Sequence, residues 1–203
     1  MKNRPAATAA LTLTALLLLA GCSGGGSDSM PGMDHGGGDA ASAPSDAAGE
    51  GTAAEADVMF TSMMIPHHQQ AVEMSDTLLA KDGIDERVTA LATEIRAAQQ
   101  PEIETMQGWL SDWGAALTDG DGMHHGDGMM SDDDMQALDD ASGGEAARLF
   151  LSQMIEHHRG AVEMAQDEID DGSNADAVAL AKSIVETQTA EIAEMEQLLD
   201  ELS

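Results

Sequence analysis

Phe60-Thr-Ser-Met63-Met64-Ile-Pro66-His67-His68-Gln-Gln-Ala71-Val-Glu-Met74 returns, 90 residues downstream, as Phe150-Leu-Ser-Gln153-Met154-Ile-Glu156-His157-His158-Arg-Gly-Ala161-Val-Glu-Met164. Within the first copy Phe60, Met64, His67, Ala71, Met74 and Leu78 recur at spacings of three and four, which places them on one stripe of a helix. A second stripe follows each copy: Ile95, Gln99, Glu102, Met106 and Leu110, then Ile184, Gln188, Glu191, Met195 and Leu199, 89 residues on. The chain is therefore a duplicated pair of helices. Two helical hairpins make an all-α four-helix bundle.

Outward from these motifs, helices are expected near residues 55–80, 84–114, 145–170 and 175–202. Lys81-Asp82-Gly83 and Asp171-Gly172-Ser173-Asn174 mark the turns within the hairpins. Ser131 before three aspartates opens a short helix, with its hydroxyl as cap and the acids in the positive first turn, and Gly143-Gly144 breaks it. Pro66 and Pro101 fall inside helical patterns, where the missing N–H predicts a break or bend; the second copy has Glu156 and Ala190 there. The bundle spans 55–203, with repeat 1 at 55–116, a Met-, His- and Asp-rich linker at 117–144 and repeat 2 at 145–203.

Lys2 and Arg4 precede an apolar run from Ala6 to Ala20 that ends in Leu19-Ala20-Gly21-Cys22. Residues 1–21 read as a lipoprotein signal peptide, too short in its apolar part to span a membrane. Leu-Ala-Gly-Cys resembles the bacterial lipobox, which implies acylation of Cys22, the single cysteine. Acyl chains on that residue would anchor an exported protein at the outer face of a bacterial membrane. Residues 22–54 are Gly, Ser, Ala and Asp with almost no large apolar side chain and read as a flexible tether.

The net charge of −30, from 38 acidic and 8 basic residues, excludes nucleic acid as a partner, because phosphate binding needs a basic surface. Aromatic residues are 2% of the chain, so Leu, Ile, Val, Ala and Met must build the core.

Imidazole and thioether together suit a soft transition metal, copper above all. A single methionine on a buried stripe ordinarily fills space. The joint recurrence of Met-x-x-His-His and a distal Met is what points to ligation. Candidate ligands are Met64, His67, His68, Met74 and Met106 in one copy, and Met154, His157, His158, Met164 and Met195 in the other. On the stripe defined by Phe60, Ala71 and Leu78, His67 lies near the centre with Met74 and His68 at the edge beside Met64. Glu102 and Glu191 face inward on the second stripes, where an unpaired carboxylate is costly. Each is expected to accept the ring N–H of a histidine and orient it, with Gln99 and Gln188 completing the network. Met30, Met33 and His35 in the tether, and Met123, His124, His125, Met129 and Met130 in the linker, are candidates for looser ion capture.

The blocks Met-Ile-x-His-His-x-x-Ala-Val-x-Met and Gln-x-x-Glu-Ile-x-x-Met, each present twice and in order from about residue 55 to the end, resemble the family termed domain of unknown function 305. The resemblance implies a ferritin-like bundle exported from bacterial cells, and copper binding among characterised members, carried here by the ten Met and His positions just named. Copper as Cu(I) or Cu(II) is the expected cofactor, and silver shares its ligand preference; the protein that would receive the metal is unknown. Two other readings compete. The histidines could serve only buried hydrogen bonds in a structural or partner-binding surface lipoprotein. A ferritin-like di-iron oxidase would need Glu-x-x-His on two helices, and that spacing occurs nowhere in the chain, so no enzyme is expected.

Overall fold

Apolar stripes on the two long helices of each repeat cannot be buried by one hairpin alone, and the fold answers that requirement by joining two hairpins along a shared seam. The computed structural model describes residues 53–116 and 128–202. Four long helices and one short one follow in order: α1 (Glu55–Leu79), α2 (Glu86–Trp113), α3 (Asp132–Asp140), α4 (Gly143–Asp171) and α5 (Ala175–Glu201). The chain is an all-helical bundle. The signal segment, Cys22, the tether through residue 52, and Met30, Met33, His35, Met123, His124 and His125 lie outside the described residues.

Local chemistry sets the ends. The Asp85 side chain accepts from the backbone N–H of Arg87 at the start of α2, and Gly114 closes that helix in the left-handed region. The Ser131 hydroxyl accepts from the Asp134 N–H while the Asp134 carboxylate accepts from the Ser131 N–H, a reciprocal capping box. The Asn174 side chain caps α5 through the N–H groups of Asp176 and Ala177. α4 starts two residues earlier than its sequence suggests, because Gly143 adopts φ +53° and turns the chain straight into the helix. α1 and α2 continue through Pro66 and Pro101 rather than breaking there.

α1 packs on α2 and α4 packs on α5, while the hairpins meet chiefly through α1 against α4. α1 and α4 run antiparallel: the Asp57 carboxylate, near the start of α1, accepts from the N–H groups of Ser173 and Asn174 just beyond α4. α1 and α4 are thus the inner helices, each covered on two faces. α3 touches both and lies over one end of their seam.

The core is two apolar clusters stacked along the bundle. Met74, Leu78, Leu91, Ile95, Phe150 and Met154 belong to one; Phe60, Met64, Ile103, Met106, Ala161 and Ile184 belong to the other. Residues from all four long helices enter each cluster, so the hairpins share one core divided in two. The divider is the set of His, Gln and Glu positions that separate the apolar residues on every stripe.

At the far end of the second cluster sits a polar intrusion that periodicity did not flag. Asp57 and Glu168 are both buried. Ser173, Asn174 and Ala54 supply four hydrogen bonds to Asp57, which hold its carboxyl below the usual range against the opposing effect of burial. Glu168 is pushed up to about 8, first by burial and then by the Asp57 carboxylate it faces. The offset of 90 puts Glu168 opposite Leu78 in the other repeat, and Asp57 opposite Ala147. A charged residue aligned with a core leucine was the available signal.

Glu168 loses its proton near 4.5 when unfolded and near 8 when folded. Its contribution to stability is complete below 4.5 and is lost as pH rises through 8. Glu168→Gln, which keeps a donor facing Asp57, should therefore gain in melting temperature over the parent progressively between about pH 5 and 8 and level off above that. Thermal denaturation across that range checks this, and a difference independent of pH would contradict it.

A buried histidine layer as candidate metal centre

The layer between the two clusters is built from the middle of every long helix. His67 and His68 on α1 and His157 and His158 on α4 are all buried, as are Gln99 on α2 and Gln188 on α5. Adjacent helical residues point about 100° apart, so each pair faces two neighbours at once. His67 turns toward α4, where its ring lies 3.7 Å, centroid to centroid, from that of His157 with a 37° tilt. His68 turns toward α2, where Nε2 donates to Glu102 Oε2 at 2.8 Å. The second copy repeats this, with His158 Nε2 to Glu191 Oε2 at 2.8 Å. His68 is therefore not at a stripe edge as the single-helix projection suggested. An inner helix covered by both α2 and α4 has a buried arc wide enough for both residues.

The carboxylates sit at the border of the layer, with side chains 21% and 20% exposed for Glu102 and Glu191. Their charge keeps contact with water while the imidazole is enclosed. Because a carboxylate can only accept, Nε2 of His68 and of His158 carries the proton, which leaves Nδ1 of each as a lone-pair donor. Neither Nδ1 has a hydrogen-bond partner among the described residues. The same holds for both ring nitrogens of His157, both amide atoms of Gln99 and Oε1 of Gln188. The glutamines thus share the layer without joining the His–Glu pairs.

Burial holds the His157 imidazole well below its usual value, and the neighbouring His67, His158 and His68 act in the same direction; a loose contact with the His67 backbone opposes them. His157 is neutral at physiological pH. A neutral imidazole is the form that ligates a metal. Each enclosed polar atom without a partner costs about 1–3 kcal/mol, so several in one layer call for a ligand or a special role. The donor set fits a soft or borderline metal ion such as copper. Among the described residues no three His, Cys, Asp or Glu side chains are already gathered as a cage.

The methionines divide by location. Met64 and Met106 are fully buried in the cluster on one side of the layer, and Met154 and Met195 in the cluster on the other. Met64 and Met154 each precede their histidine pair by three and four residues, within reach along the helix. Met74 and Met164 follow by six and seven residues, a rise of about 9–10 Å, which places them away from the imidazoles. Met74 is core packing beside Leu78, and Met164 lines a surface cleft.

The linker's end is also more ordered than a loose capture segment. The Gln70 amide donates to the Met130 carbonyl at 2.9 Å and accepts from its N–H at 2.7 Å, and Met130 packs on the first cluster. Gly128 crosses α4 so closely that a Cβ would lie 2.8 Å from the Glu156 carbonyl oxygen and 3.0 Å from that of His157. Met130 is held by packing, and Met129 borders a groove with Glu156 and Glu163. The strap thus runs over the histidine layer.

A family profile described as domain of unknown function (DUF305) matches residues 57–199. The chain belongs to the DUF305 family. Its bundle is similar to a DUF305 fragment from Deinococcus radiodurans, at 30% identity over 74% of this chain and 99% of that one, with a TM-score of 0.68. A DUF305 protein from Streptomyces coelicolor, provisionally named as secreted, is 37% identical over 72% of this chain and 92% of its own, also with a TM-score of 0.68. CopM in its Cu(II)-bound form is 32% identical over 72% of this chain and 97% of its own, with a TM-score of 0.64. CopM is also known in Cu(I)-bound and Ag-bound forms. No curated protein matches the chain.

Replacing His157 by Leu should leave the metal-free DUF305 bundle as stable as before or raise its unfolding free energy by about 1–3 kcal/mol, since the substitution removes two enclosed nitrogens without partners. Chemical denaturation of the metal-free protein provides the check. A loss of that size would show that His157 is a structural hydrogen-bonding residue.

Proposed function

We propose that this chain is an exported, lipid-anchored copper-binding protein that sequesters copper or passes it on, holding the ion in the histidine layer. The observation that carries the reading is the set of enclosed ring nitrogens on His68, His157 and His158 that have no hydrogen-bond partner among the described residues. Each ligand type has a role. His68 and His158 would donate from Nδ1 while Glu102 and Glu191 fix their tautomer and raise their basicity. His67 and His157 would supply the nitrogens at the centre. Met64, Met106, Met154 and Met195 would offer thioethers from above and below, which favours Cu(I) without excluding Cu(II). CopM, similar over nearly its whole length, binds Cu(I), Cu(II) and Ag, and supports copper with silver as a competitor.

Export rests on residues 1–22, on the Streptomyces relative and on the duplicated motifs' kinship to that family. No helix among the described residues is long and apolar enough to cross a membrane, so a membrane location would depend on acylated Cys22. The tether and the Met123–His125 stretch would gather ions ahead of the bundle. A structural role for the histidines has one observation in its favour: the His68–Glu102 and His158–Glu191 pairs are complete hydrogen bonds without any metal.

Calorimetry with Cu(II) separates the two readings. His67→Leu/His157→Leu should abolish the tight site. Glu102→Gln/Glu191→Gln should weaken it by about 10–100-fold. Affinity should fall as pH drops through about 6.5, where an ordinary imidazole takes up a proton. Unchanged tight binding in the His67→Leu/His157→Leu protein would leave the layer a purely structural role.

A further inference from the structure

The duplication provides an internal control, because residues 90 apart hold equivalent places at opposite ends of the α1–α4 seam. One end is closed by α3. Leu138 is fully buried there, Gln153 Nε2 donates to the Asp134 carbonyl, and Lys81 Nζ donates to the Asp139 carbonyl. At the equivalent groove on the other end, nothing among the described residues takes the place of α3. An open cleft of about 260 Å³ remains, lined in part by Met59, Met63 and Met164.

The residues in that cleft have changed character along with its cover. Leu149 and Gln153 beside α3 correspond to Met59 and Met63, and Lys81 corresponds to Asp171. Met59 is 57% exposed, more than core packing explains. Met59 and Met63 are spaced i, i+4 on one face of α1, and Met164 approaches from α4. Behind them lies Glu168, 1% exposed, in the place of Leu78. No N–H or O–H donor among the described residues reaches either Glu168 oxygen, and the group it faces is Asp57, whose own oxygens are engaged by four donors.

We propose that this cleft is a second, surface-accessible site for a monovalent soft cation, Cu(I) or Ag(I), with the sulfurs of Met59, Met63 and Met164 as donors and the enclosed Glu168 carboxyl as the polar group behind them. Neutral thioethers are poor ligands for Mg²⁺ or Ca²⁺, which require cages of oxygen. They suit a polarizable monovalent ion, and flexible methionine side chains can close around it. Asp167 and Asp171 on the rim add attraction for any cation. The site does not rest on the histidine layer binding metal, since it shares no side chain with that layer.

Ag(I), which has no accessible redox change in water, is the probe. The full chain carries ¹³C-labelled methionine methyl groups, assigned by single Met→Leu variants. The three methyl signals of Met59, Met63 and Met164 should move together as Ag(I) is added to saturation, in the parent and in His67→Leu/His157→Leu alike. Met59→Leu/Met63→Leu/Met164→Leu, which nearly conserves volume, should bind one equivalent fewer. Three signals unmoved at saturation in the parent would overturn the proposal without reference to any variant. An unchanged stoichiometry in the folded triple variant would overturn it equally.

Discussion

The contact between the His67 and His157 rings, 3.7 Å apart where α1 crosses α4, is the constraint on which the remaining architecture depends. Two imidazoles at that distance inside a bundle cannot both carry charge without severe cost, so burial and mutual repulsion keep His157 neutral. The same crossing makes α1 and α4 inner helices with two covered faces. Each adjacent histidine then has somewhere to go, one toward the opposite hairpin and one toward the carboxylate of its own. The apolar clusters on either side supply the stability that a layer of poorly satisfied polar atoms does not; a fully buried Leu, Ile, Phe or Met contributes about 1.5–3 kcal/mol. Natural proteins break local packing rules mainly at functional sites, and this layer breaks them on all four long helices.

The two halves have kept the layer and diverged at their ends. Around the histidines the repeats match residue for residue in the pairing of His68 with Glu102 and of His158 with Glu191. Away from it the seam is sealed by α3 at one end and left open at the other, where Met59, Met63, Asp57 and Glu168 replace Leu149, Gln153, Ala147 and Leu78. The linker follows that asymmetry. Gly160 stands where the first repeat has Gln70, and this pair lets the strap at Gly128–Met130 press against α4 while being clasped from α1. One repeat thus receives the linker and the other holds it.

Much of this was legible in the chain itself. The 90- and 89-residue offsets gave two hairpins, and the Gln99–Glu102 and Gln188–Glu191 positions on otherwise apolar stripes pointed to a polar interior. The cap at Ser131 and the glycine turns bounded the helices to within about two residues, the ordinary limit for helix ends. What a projection of one helix could not show was how many faces would be covered. That is why His68 looked marginal and why Met74 and Met164, on the right stripe but two turns away, looked like ligands. Gln99 and Gln188 have the right position without hydrogen-bonding to the His–Glu pairs. Met130 was read as part of a loose segment because its anchor, Gln70, lies 60 residues away. Glu168 escaped because a lone acid near a helix end usually faces water; comparison with Leu78 across the repeat would have exposed it.

The most direct test of the histidine layer as the metal centre is X-ray absorption at the copper edge on the full chain loaded with one equivalent of Cu(II). The account predicts the outer-shell scattering of two or more imidazole rings, retained in Glu102→Gln/Glu191→Gln and reduced in His67→Leu/His157→Leu. A first shell of oxygen alone, without imidazole scattering in the parent protein, would contradict it.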